Sequence, residues 1–274
     1  MSRTAPCLAA LILGLVPMHA GCKKEGRIVD AVSGEPIPNA QVTMQSRVSS
    51  IARGPMGRAV GDTTDPEGRY AFEKIEGEFD FVSAWAPNYY PNASYEKSGD
   101  GEVRLTRVPN DALPVRKGLL PLEPGAPTRG FDLHTGQPAS FEESDIILTW
   151  VAASGSGALR LETVGYGGIY AFIGKGNPRK SFEFNQVLEA PKTGYRTAVN
   201  LTPDTQYLFV RCRDGYHYAR LYLAGVTQAA RNQTEALFGF CIQPDGSRRV
   251  PPRPIYATDL ELARCGVPGQ GEPK

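Results

Sequence analysis

From Gly26 onward, apolar and polar residues alternate over short stretches closed by turn residues. After Ser33-Gly34-Glu35-Pro36-Ile37-Pro38, the residues Ala40, Val42 and Met44 alternate with polar neighbours, which is the period of a half-buried strand. Thr64-Asp65-Pro66-Glu67-Gly68-Arg69 predicts a tight turn, because Pro66 presets φ and Gly68 tolerates positive φ, and it delivers Tyr70 and Phe72 into a strand. Another strand is expected over 79–85. Strand-like runs resume at 131–133, 146–150, 159–161 and 169–173, then from Tyr207 onward. Short strands roughly every ten residues with turns between them predict an all-β fold built of antiparallel sandwiches.

The sharpest local expectation is a hairpin. Residues 207–213 and 216–223 flank Asp214-Gly215, a two-residue loop that favours a type I′ turn and so sets the register. Cys212 then faces His217, Arg211 faces Tyr218, Val210 faces Ala219 and Phe209 faces Arg220. One face carries Leu208, Val210, Cys212, Ala219, Leu221 and Leu223 and is expected in the core. The other carries Tyr207, Phe209, Arg211, Tyr218, Arg220 and Tyr222. Arginines over aromatics stabilise a strand pair by themselves, and an exposed face of this kind also suits stacking on a planar ligand or a sugar.

Proline divides the chain. Pro109, Pro114, Pro121, Pro124 and Pro127 predict an extended, semi-rigid linker over 109–128, between a first domain at 22–108 and a β-rich second domain at 129–274. Within the first domain, the connection from Val48 to Asp62 is longer than a usual hairpin loop. It reads as either a contact loop or an idle insertion, with Arg53 and Arg58 in it.

The first 21 residues read as an export signal: Arg3, an apolar stretch from Leu8 to Val16, then Ala20-Gly21-Cys22. About ten apolar residues are too few to span a bilayer. The Ala20-Gly21-Cys22 ending resembles a bacterial lipobox, which implies a lipid on Cys22 and a membrane held through that anchor, in the outer membrane where the bacterium has one. His19 departs from the pattern, so ordinary cleavage after Ala20 and a periplasmic or secreted protein stay open. Loss of the signal takes one arginine and no acid from totals of 30 basic and 29 acidic residues, so the mature chain is neutral. That balance argues against nucleic acid as a partner and offers no electrostatic hold on anionic lipid. Cys212, Cys241 and Cys265 remain as disulfide candidates, an odd number of which two could pair after export.

Gly26-Arg27-Ile28-Val29-Asp30, Gly34-Glu35-Pro36-Ile37-Pro38-Asn39-Ala40-Gln41-Val42 and Thr64-Asp65 through Gly68-Arg69-Tyr70 together resemble the carboxypeptidase regulatory-like domain, over roughly residues 24–108. The resemblance implies a seven-stranded prealbumin-like sandwich without catalytic residues, used in cell-envelope proteins as a spacer or a protein- or carbohydrate-binding module. Over 129–250, Phe131-Asp132-Leu133, Thr135-Gly136, Gly167-Gly168, the Asp214-Gly215 hairpin and Gln243-Pro244-Asp245-Gly246 resemble the HmuY-type bacterial lipoproteins, some of which bind haem. A fibronectin type III pattern around Leu201, Pro203, Thr205 and Tyr207 competes with it.

Catalytic and metal-binding motifs are absent. There is no HExxH, GxSxG, P-loop or paired CxxC, so no catalytic residue, metal or cofactor is assigned. Glu142, Glu143 and Asp145 read as a solvated edge, and Asp65 with Glu67 as a turn rather than a calcium site. A haem would have to draw on His134, His217 or a tyrosine. His134 falls in the turn Leu133-His134-Thr135-Gly136 and meets His217 only if the fold joins two distant loops. The leading expectation is a non-catalytic envelope lipoprotein presenting a surface to a protein, glycan or small ligand. A haem or small-ligand carrier and an envelope enzyme with an accessory sandwich are the alternatives.

Overall fold

The computed structural model describes residues 22–50, 54–75, 78–94, 101–122, 130–151, 158–173, 180–202, 206–228 and 234–254. The protein is all-β, with one short helix among the described residues. None of its described helices is long and apolar enough to cross a membrane.

The first seven strands are β1 (Cys22–Asp30), β2 (Gln41–Ser50), β3 (Gly54–Thr63), β4 (Arg69–Ile75), β5 (Glu78–Trp85), β6 (Asn92–Ser94) and β7 (Glu102–Leu105). They form a three-stranded sheet, β4-β1-β7, and a four-stranded sheet, β3-β2-β5-β6. Pairing is antiparallel except between β1 and β7, which run parallel. The alternating apolar positions meet as expected: Ile28, Val42, Met44, Tyr70, Phe72, Val82 and Val103 make one buried cluster. Two local devices fix its shape. Asp65 closes the predicted turn, its Oδ1 accepting from Arg69 N at 2.7 Å, with Gly68 at φ 72°. Buried Thr64 accepts from Ala40 N at 2.8 Å and donates to Ile37 O at 2.7 Å, pinning that turn to the preceding one. The long Val48–Asp62 connection is largely strand rather than loop among the described residues. It is the continuation of the β2–β3 hairpin, paired from Gln41–Thr63 out to Ser50–Gly54. Arg53 lies outside the described residues.

The second sandwich has two five-stranded sheets. One is β10 (Gln137–Ala139), β9 (Gly130–Asp132), β11 (Ile146–Val151), β12 (Ala158–Thr163) and β14 (Ala198–Leu201). The other is β13 (Gly168–Ala171), β15 (Tyr207–Arg211), β16 (Tyr218–Gln228), β17 (Thr234–Ile242) and β8 (Arg116–Leu122). Phe131, Leu133, Ile146, Leu148, Leu161, Leu208, Val210, Phe238 and Phe240 pack between the sheets. Aromatic edges organise this core, with Phe131 T-shaped against Phe238 at 4.9 Å and against Phe240 at 5.5 Å.

The proline-rich segment departs from expectation. Residues 109–128 contain β8, paired with β17 from Phe240–Arg116 to Thr234–Leu122, with Leu120 fully buried. Pro121 is compatible with this because β8 is the sheet's outermost strand, where a missing donor costs no ladder bond on the open side. The segment is therefore part of the second sandwich, and contacts cross between the sandwiches beside it. Buried Tyr90 donates its hydroxyl to Pro252 O at 2.7 Å and Thr106 pairs with Gln186 at 3.0 Å, while Arg249 holds Asp111 of the segment itself at 2.8 Å. Leu113 bridges to Pro252 in parallel.

Cys212 and Cys241 do not pair with each other. Both are buried free thiols, and Cys265 lies outside the described residues. Strand parity explains the separation. Cys212 continues the core face of Leu208 and Val210, whereas Cys241 alternates with core-facing Phe238 and Phe240 and so points to the other side of the sheet. Burial pushes both thiols up, Cys241 to about 11.

Candidate functional site

The hairpin forms in the predicted register, from Tyr207–Tyr222 to Arg211–Tyr218. Its core face is buried as expected. Its opposite face, expected as an exposed platform, is largely covered. The helix α1 (Lys180–Gln186) and the segment after it lie over the sheet, and Phe209 and Arg220 are 0% and 3% exposed. Phe209, Phe184, Ala190 and Val250 form a second small core there, flanked by Tyr170, Tyr195, Tyr207 and Tyr218. Arg220 stacks on Phe184 at 4.3 Å and on Phe209 at 5.0 Å. Its Nη2 donates at the end of α1 to the carbonyls of Val187 and of Phe184, the latter also accepting from Val187 N at 3.2 Å. Arg211 lies 5.4 Å over Tyr195, and Tyr207 stacks on Tyr222 at 4.9 Å. The six residues thus form a floor under a cover rather than an open binding face.

An open cleft of about 640 Å³ lies beside this cover. Arg160 from β12, Tyr170 from β13, Arg196, Asn200 from β14 and the strongly exposed Ile173 line it. Arg160 is paired with Glu162 at 2.8 Å. At Gly194, with φ 88°, a Cβ would lie 3.2 Å from the Tyr170 ring, so a side chain there would crowd the ring. Sequence reading missed the cleft, because Arg160, Arg196 and Asn200 come together only when β12 and β14 pair.

At the end of the second sandwich, the fold joins the two histidines. His134 and His217 meet edge to face, with centroids 4.7 Å apart and an interplanar angle of 88°. Each stands on an Asx turn. Asp132 Oδ1 accepts from His134 N and Thr135 N at 2.8 and 3.2 Å, and Asp214 Oδ1 accepts from Tyr216 N and His217 N at 2.8 and 3.0 Å. Arg116 of β8 donates to the carbonyls of His134 and Thr135, fastening the first turn. His217 Nδ1 is 2.5 Å from Asp214 Oδ2, and Nε2 is 3.2 Å from Pro244 O. Burial works to raise the Asp214 carboxyl, but the His217 side chain and the two backbone donors outweigh it and hold the carboxyl at about 2.

Asp145 is not part of a solvated acidic edge. It is fully buried, and its two oxygens accept from Leu133 N at 2.9 Å and Arg213 N at 3.0 Å, tying the two histidine-bearing loops together. Burial raises its carboxyl, against the pull of those two donors and of His134. A haem does not fit between the histidines: axial ligation needs two ring nitrogens facing each other across a porphyrin, and rings in edge contact leave no slot. Cys212 lies beside this cluster, but its thiol is sealed in the core.

No family model matches the chain, and no curated protein matches it. Among solved structures, it resembles a DUF4466 family protein from Parabacteroides merdae at 13% identity, over 81% of this chain and 98% of that one, with a TM-score of 0.31. It also resembles a "putative carbohydrate binding protein" from Bacteroides uniformis at 12% identity, over 81% and 96%, with a TM-score of 0.22. Both scores are too low for a common fold to be read from them.

Proposed function

We propose that the protein is a non-catalytic binding protein of the bacterial cell envelope, lipid-anchored at Cys22, whose second sandwich takes an acidic glycan in the cleft between β12, β13 and β14. The observation that carries this reading is the composition of that cleft. Its volume suits a small oligosaccharide, Tyr170 supplies a ring for stacking against a sugar, and Asn200 adds an amide. Arg196 is exposed, and among the described residues its guanidinium has no carboxylate partner, so it is available to a ligand carboxylate or sulfate. Among the described residues no carboxylate, cysteine, histidine or methionine lines the cleft, which leaves no paired acid and base in it. The first sandwich, with its resemblance to envelope modules, serves as the spacer that carries the second away from the membrane.

The test is a titration of the mature protein with uronic-acid and sulfated oligosaccharides against their neutral counterparts. Saturable binding of the acidic forms, lost in Arg196→Ala and weakened in Arg160→Ala, is expected. Equal binding of neutral and acidic forms, or binding that survives both substitutions, overturns the reading.

A further inference from the structure

We propose that His134, Asp214 and His217 form a binding site for a divalent first-row transition-metal ion at the end of the second sandwich. One ligating atom from each residue lies within 4.8 Å of the others. Tetrahedral zinc, with bonds of about 2.0–2.1 Å, needs its donors roughly 3.3 Å apart. The adjustment is thus of ångström size and falls on surface side chains, with the 2.5 Å contact of His217 Nδ1 to Asp214 Oδ2 giving way to the ion. His134 is exposed, and among the described residues no hydrogen bond holds its ring. The side chains of His217 and Asp214 are 23% and 39% exposed, so an ion reaches all three from solvent.

The backbone beneath these side chains is already fixed. Both turns are closed by their own aspartates, Arg116 clamps the first, and buried Asp145 joins one to the other. Such supporting contacts preorganise a metal site. The donor set selects the metal class. Two imidazoles and one carboxylate favour zinc, cobalt, nickel or copper(II) over magnesium or calcium, which prefer oxygen throughout. Copper(I) favours thiolate, and the nearest one, Cys212, is fully buried. Three protein ligands leave a fourth position to water. The two turns belong to different sheets, so a bound ion would cross-link the sandwich at that end.

The test uses the untagged mature protein, with zinc alone measured by competition against a chromophoric chelator and cobalt(II) as the spectroscopic probe. One zinc per chain is expected, with affinity falling at least about tenfold in His134→Ala, in His217→Ala and in Asp214→Asn. Circular dichroism of each variant confirms its fold, and Arg196→Ala, at the separate glycan cleft, leaves the affinity unchanged. Cobalt is expected to give d–d bands of a four-coordinate nitrogen and oxygen site without a thiolate charge-transfer band. Absence of stoichiometric zinc, or zinc binding indifferent to both histidine substitutions, overturns the proposal. A thiolate band lost in Cys212→Ala also overturns it, because the ion would then sit with His134, Asp145 and Cys212 instead. Glycan binding is read separately, so failure of either site does not decide the other.

Discussion

The guanidinium of Arg220 lies 4.3 Å from the Phe184 ring, and one of its nitrogens donates to the carbonyl of that same Phe184. A single side chain thereby caps α1 and fills the space between the helix and the sheet. The arrangement is incompletely satisfied, since Arg220 Nε and Nη1 are buried without partners among the described residues. Burial without a counter-ion also pulls the guanidinium down to about 10. Arg220→Ala leaves the part-buried Val187 carbonyl without its donor, at roughly 1–3 kcal/mol, while Phe184 O keeps Val187 N, and it also removes the stack on Phe184 and Phe209. Urea denaturation is expected to show a loss of about 3 kcal/mol, with Arg220→Lys falling between because it restores a donor but not the flat stack. Wild-type stability in Arg220→Ala would show that α1 needs no such cap.

Acid is expected to weaken the first sandwich through Asp30. Backbone donation from Ser33 and Val32, together with the Tyr89 hydroxyl and Arg107, holds this carboxyl below its usual value despite burial. The folded state therefore favours the ionised form. Its contribution is complete above the unfolded-state value near pH ~4 and is lost as pH falls through the lower folded value. The urea midpoint of wild type should drop across that window, and Asp30→Asn should flatten the slope. Parallel slopes would assign the acid limb to another carboxylate.

The proline-rich segment was legible only in part. Its prolines exclude a helix and a central strand, and β8 is an outer strand, but nothing in its own sequence says that it pairs with Thr234–Ile242. The Asp214-Gly215 hairpin was legible to the residue, because a two-residue loop leaves one register. What covers its second face was not, since alternation reports that a face exists and not what packs on it. The seven-residue α1 buries Phe184 alone, too little for a helical period to show. The histidine pair was beyond reach because it depends on how two sheets stack. Separation of Cys212 from Cys241 was within reach, from strand parity alone.

Because β8 belongs to the second sandwich, a fragment beginning at residue 129 is expected to expose the edge of β17 and to self-associate through strand pairing. A fragment beginning at residue 110 should remain monomeric in sedimentation. Equal monomeric behaviour of both would show β8 to be dispensable.

Cys22→Ala is expected to release the mature protein into the aqueous phase on detergent partitioning, since no described helix can hold it in a bilayer. Retention in the detergent phase would place the anchor elsewhere.

The bond from Tyr90 to Pro252 carries a consequence for the order of events at the ribosome. Tyr90 is fully buried, yet its hydroxyl finds its acceptor 162 residues later in the chain. The first sandwich therefore emerges with one end unsealed and stays so until the second has been translated and residues 249–253 have been laid back against Leu113. Amide exchange around 88–92 should accordingly be faster in a chain ending at 122 than in the whole protein. A segment translated 162 residues after Tyr90 closes the first structure made.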